Sequence, residues 1–292
     1  MKQGGRTSSA LMYVLVAAFA LVCAFPMVLS VLVSFTDEDA IRRNGYSFAP
    51  AKWSVYSYRL IFHSGSSVLR SYGISLFVTA VGTVLAVAIT AMAAYTLANK
   101  RVQYRRLLAL FFYVTMVFSA GIVPWYFICR AVGLRNNILS LIVPSLLFNP
   151  FNLFLVKNYM DGIPDSLRES ATIDGASDIR TAFSIYFPLA IPVLATVTLF
   201  YGLAYWNDWW NAIMLVDDKK LYPLQFLLLQ LRSQIAMIRD LQLGAAGAST
   251  ITPPAESMKM ATAVVTIGPI VLLYPYLQRY FIKGLVVGSI KG

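Results

Sequence analysis

The chain has 292 residues, of which 58% are hydrophobic and 13% charged. A soluble protein usually carries about 25% charged residues, so this composition and a mean hydropathy of +0.66 exclude a soluble globular domain. The formal net charge of +11 does not imply a nucleic-acid partner: no basic run alternates with aromatics, and basic residues that flank membrane spans or face anionic lipid account for it.

About 20 apolar residues cross a hydrocarbon core as a helix, and six runs reach that length. The first, 11–33, follows Lys2 and Arg6 but is too long for a cleaved leader and lacks an A-x-A site, so it is read as a retained span. The second is 73–97 and the third about 107–128. The fourth is about 138–156, the fifth 187–206 and the sixth about 260–278. None contains Asp, Glu, Lys, Arg or His. Prolines 26, 124, 144, 188, 192, 269 and 275 lie inside these runs. They are read either as ordinary kinks or as hinges around a changing pathway.

The segment "NKRVQYRR", 99–106, holds Lys100, Arg101, Arg105 and Arg106. Basic residues in short loops favour the cytoplasmic side. Both termini are therefore expected inside, with 34–72, 129–137 and 207–259 outside. The expected fold class is an all-α integral membrane protein of six transmembrane helices, N-in and C-in, forming one transmembrane domain over 1–292.

Between the fourth and fifth runs stands "IPDSLRESATIDGASDIRTAFSIYFPLAIP", 163–192. Asp165, Arg168, Glu169, Asp174, Asp178 and Arg180 would together cost roughly 15–20 kcal/mol at a bilayer centre, so the stretch is expected in water. Ser166 and Glu169 have the spacing of a capping box, and Gly175 suits a helix-ending left-handed residue. These signals predict a short helix over 166–174, with Leu167, Ser170, Ala171 and Ile173 as its apolar face. A second helix is expected after Gly175, capped by Ser177 or Asp178. A helix this short is marginal in water. Its acidic, small-residue character is unlike an interfacial helix and points to a docking element.

"ESATIDGA", with Phe183 and Pro188 downstream, resembles the EAA loop of ABC-importer permeases, with Ser170 in place of the usual first alanine. Residues 34–62, "NPFNLFLVKNYM" and "KGLVVGSIKG" resemble carbohydrate-importer permeases of the MetI-like, MalG/LplC-like group. The resemblance implies a type I importer permease in a bacterial cytoplasmic (inner) membrane, with a cytoplasmic coupling helix seated in an ATPase cleft. Glu169, Ser170, Ala171, Asp174, Gly175 and Ala176 would form that coupling site, with 284–292 as a second contact. It further implies a second permease subunit, two cytoplasmic ABC ATPases that bind ATP and Mg, and an extracytoplasmic solute-binding protein. The chain itself would hold no cofactor.

No G-x-x-x-x-G-K-[ST] phosphate loop occurs, no Ser/His/Asp or Cys/His set suggests an enzyme, and one histidine is too few for a metal site. "YWNDWWN", 205–211, fits either an aromatic belt at the membrane surface or a sugar path. Tyr205, Trp206 and Asn207, with Asn149 and Asn152 of the fourth run, are the substrate-path candidates. Buried amides also join helices. Arg42, Arg43, Arg59, Arg70, Arg130 and Arg135 would leave a basic outer face suited to an acidic saccharide such as alginate. A permease for a non-sugar solute and a self-sufficient channel or secondary carrier remain the alternatives.

Overall fold

The structure is a computed structural model that describes residues 4–63, 65–244 and 255–268. The described residues are helical apart from turns and one isolated bridge between Thr36 and Trp53. In chain order the helices are α1 (Gly4–Ser34), α2 (Glu38–Asn44), α3 (Tyr56–His63), α4 (Gly65–Ala98), α5 (Arg105–Val117), α6 (Ile122–Ala131), α7 (Leu139–Ile142), α8 (Pro150–Met160) and α9 (Asp165–Ile173). They continue with α10 (Asp178–Thr181), a π turn (Ala182–Tyr186), α11 (Phe187–Leu189), α12 (Ile191–Trp206), α13 (Trp210–Leu215), a 3₁₀ turn (Lys219–Leu221) and α14 (Leu224–Gly244). A last helix occupies 255–268. The tail at 284–292, and Pro269 and Pro275, lie outside the described residues.

Among the described residues, two helices are long and apolar enough to cross a membrane: Met12–Ser34 within α1 and Ser67–Ala98 within α4. They match the first two runs. The third run is two helices, α5 and α6, bent by 117° at 118–121. The fifth bends by 82° where 178–189 meets α12. The fourth is broken: α7 has four residues, and α8 begins only at Pro150. Hydropathy sees a continuous apolar run, but Pro144 and Pro150 have no amide to donate and split it.

Two compact units form. One comprises the described residues of 4–68 with 228–268, the other 69–227. In the first, the segment after α1 folds back on itself: Asp37 N donates to Lys52 O and Ser54 N to Phe35 O. Glu38 is buried, and its carboxylate accepts from the amides of Glu256 and Ser257 and from Ser257 Oγ at 3.0–3.1 Å. A carboxylate there caps the positive N-terminus of the last helix. Ser57 and Ser257 hydroxyls meet at 2.8 Å beside it.

The second unit is built around α4, α8 and α12. Polar groups released by the broken fourth run are taken up by side chains. Tyr205 Oη donates to Ile142 O at 2.8 Å, and Asn211 Nδ2 donates to Pro144 O at 3.0 Å. Asn149 N donates to Tyr201 Oη, which also bonds Thr90 Oγ1 at 2.8 Å. Irregular backbone at membrane depth is viable only where such partners are supplied. Gly82 of α4 lets the Tyr205 ring approach, since a Cβ there would lie 2.5 Å from Cζ.

Candidate coupling site

Helix α9 starts two residues earlier than the capping-box spacing implies. Pro164 is the N-cap and Asp165 the first helical residue, so Ser166 lies inside the first turn and no side-chain cap bond forms. The first-turn charge comes from Asp165, which pairs with Lys100 just beyond α4. That bond holds the Asp165 carboxyl below the usual carboxylate range.

The end of α9 follows expectation. Gly175 has φ +77°, its amide donates to Thr172 O, and Ala176 N reaches back to Ala171 O at 2.9 Å. These are the two bonds of a Schellman motif. Ser177 then caps α10, its Oγ accepting from Arg180 N at 3.3 Å.

The faces of α9 differ from the sequence reading. Of the expected apolar face only Ala171 is buried. Leu167 and Ser170 are exposed, and Ile173 is 86% exposed. Arg168, expected in water with the other charges, is only 6% exposed. Its guanidinium carbon lies 4.6 Å from the Tyr186 ring centroid and 4.9 Å from that of Tyr95, and Nε donates to Tyr186 Oη at 3.3 Å. The two rings meet edge-on at 5.1 Å, and Tyr95 Oη donates to Asp178 O. A desolvated cation–π contact is worth about 2 kcal/mol, which offsets part of the cost of burial. Charge alone cannot reveal this: the signal would have been an arginine four residues after Pro164 with tyrosines at the ends of two apolar runs.

So α9 is gripped on one side by Arg168 and Ala171 and bare on the other. Glu169, Ser170, Asp174 and Gly175 are exposed, and Ala176 is half-buried. Beyond them Ile179 is 74% and Phe183 60% exposed. The arrangement can seat another protein.

At the other end of this unit, Asn136 (φ +53°) joins two loops. Its amide donates to Leu215 O, and its Oδ1 accepts from the amides of Asp217 and Asp218. Asp208 Oδ1 accepts from the amides of Trp210 and Asn211 at the start of α13. Burial pushes the Asp208 carboxyl up, against those hydrogen bonds. The substrate-path candidates divide. Tyr205, Trp206 and Asn152 are buried, Tyr205 in the bond to Ile142 O. Asn149 caps α8 through Phe151 N. Asn207 is exposed and accepts from Gln225 at 3.1 Å.

Residues 84–287 match the family described as binding-protein-dependent transport system inner membrane component. The chain is 35% identical to the polygalacturonan/rhamnogalacturonan transport system permease protein YtcP of Bacillus subtilis (strain 168), over 97% of each chain. It is 36% identical to protein LplC of the same organism, over 91% of this chain and 89% of that one. A solved structure of a bacterial ABC transporter involved in the import of the acidic polysaccharide alginate contains a chain similar at TM-score 0.79 and 28% identity, covering 96% of this chain and 99% of that one. An all-helical membrane chain with an exposed EAA-like helix and this likeness along nearly its whole length belongs to the binding-protein-dependent inner membrane components, the permeases of ABC importers.

Proposed function

We propose that this permease imports oligosaccharides, uronate-type acidic ones first among them, and that separate cytoplasmic ATPases drive it through α9. The observation that carries the coupling reading is the two-sidedness of α9: held beneath by Arg168 and Ala171, bare at Leu167, Ser170 and Ile173. Glu169, Ser170, Ala171, Asp174, Gly175 and Ala176 make up the seat, with Glu169 toward basic groups of the ATPase. ATP and Mg are bound by those partners. A second permease subunit completes the passage, and an extracytoplasmic binding protein meets 34–72 and 207–259.

Six crossings with both termini inside fit this reading. The basic loop 99–106 and α9 share one end of the second unit through Lys100 and Asp165. Residues 135–136 and 215–218 share the other. On the solute, polygalacturonan and alginate are both uronate polymers, and they appear in the names attached to two relatives. Arg43, Arg59, Arg70 and Arg130 are exposed and available to an anionic solute, whereas Arg42 and Arg135 already face Glu38 and Asp217.

The test is ATPase stimulation in a reconstituted complex with its binding protein. Oligogalacturonate or oligoalginate is expected to stimulate more than neutral arabino-oligosaccharide or maltotriose. Equal stimulation by neutral sugars removes the acidic preference, and none by any saccharide removes the sugar reading.

A further inference from the structure

The chain buries a guanidinium at a place where an apolar side chain would complete the packing. Burying a charge costs several kcal/mol before compensation, and apolar substitutes of similar volume are often neutral or stabilising. Arg168 is therefore not explained by stability. Its contacts join three pieces of backbone. Its own helix is α9. Tyr95 lies near the end of α4. Tyr186 closes the π turn that leads through α11 into α12. Tyr95 also bonds the carbonyl of Asp178, the first residue of α10.

Two further features mark the cluster. A single π turn is an uncommon stretch of helix that recurs at functional positions, and here it carries Tyr186, which meets Arg168. Arg168 Nη1 is enclosed and makes no hydrogen bond among the described residues. A donor left bare in one arrangement favours any second arrangement that satisfies it, by the worth of the bond.

We propose that Arg168 is a positioning residue for energy coupling: it keys α9 to α4 and to the π turn ahead of α12, so that displacement of α9 moves both helices together. The proposal rests on α9 being the ATPase seat. A guanidinium suits the task better than an ammonium because its plane stacks on rings while Nε holds a hydroxyl. Without it, α9 would still rest on Ala171 but could slide over the tyrosines.

The experiment uses the reconstituted complex with ATPases and binding protein, and reads saccharide uptake per ATP hydrolysed. A cysteine crosslink from residue 173 to the ATPase reports seating. For Arg168→Met the crosslink and ATPase activity are expected to persist while uptake per ATP falls roughly thirtyfold, the scale of one desolvated cation–π contact. Arg168→Lys is expected to restore part of the ratio. Tyr186→Phe, which keeps the ring and the fold, is expected to fall between wild type and Arg168→Met. An unchanged ratio in Arg168→Met overturns the proposal. If that variant fails to assemble, unchanged ratios in both Arg168→Lys and Tyr186→Phe overturn it instead. An Ile173→Cys complex with Arg168 intact that gives no crosslink sinks the seat itself, and the proposal with it.

Discussion

Gly175 shows how a single residue separates backbone from packing effects. A Cβ there would meet no atom within 4 Å, yet φ is +77°. The cost of substitution is conformational, about 1–2 kcal/mol for an L residue in that region. Gly175→Asn, which tolerates the left-handed region, is expected to keep near-normal uptake. Gly175→Val is expected to shift the α9 terminus and lower uptake several-fold, while expression in the membrane stays normal. Gly82 is the converse case: its φ is ordinary, but the Tyr205 ring lies 2.5 Å from where an alanine methyl would sit. Gly82→Ala is expected to lower the unfolding free energy in detergent by the overpacking cost of about 1–3 kcal/mol. Gly175 was legible in the sequence because the turn that needs it is local. Gly82 was not, because its partner Tyr205 stands far along the chain.

At the scale of elements, α9 illustrates what pattern reading can and cannot reach. Its existence, its length and the Ser177 cap after it followed from local signals. Its orientation did not: a hydrophobicity criterion puts Ile173 inside and Arg168 outside, and tertiary packing reversed both. The fourth run failed for a related reason, since apolar composition says nothing of whether Tyr201, Tyr205 and Asn211 will satisfy a broken backbone. The start of α9 has a pH response. With its carboxyl held below the ordinary range by Lys100, Asp165 contributes stability above the unfolded-state carboxylate pKa, and this is lost as pH falls through the folded-state value. The protection of α9 amides relative to the free-peptide exchange rate at the same pH is therefore expected to fall on acidification, and Asp165→Asn to remove that dependence. In the other unit, Glu38 accepts hydrogen bonds at the start of the last helix. Glu38→Ala leaves two amides and a hydroxyl without their acceptor, and a loss of about 2 kcal/mol or more in detergent unfolding is expected.

For the whole molecule the family, the inner-membrane location and the importer role were readable from six apolar runs and one loop signature. The breaks that turn continuous runs into bent pairs were not. The proposed sidedness has a direct check. Gln103 and Lys219 are exposed at opposite ends of the second unit. In intact spheroplasts a membrane-impermeant maleimide is expected to label Lys219→Cys and to leave Gln103→Cys unlabelled until the membrane is opened. The reverse pattern would invert the topology and place α9 outside the cell.

Among the described residues, helix α1 meets its own chain only in its C-terminal part, from Phe25, whose ring lies 4.6 Å from that of Phe48, to Ser34. Val33 and Ser34 are buried, and Ser34 bonds Tyr58, while side chains 12–28 remain exposed. Most of this segment therefore owes its identity to acyl chains or to a neighbouring subunit. Replacing 12–24 with an unrelated leucine-rich stretch of equal length should leave the protomer's own fold intact, so any transport defect in such a chimera would report on surroundings that α1 recognises during assembly.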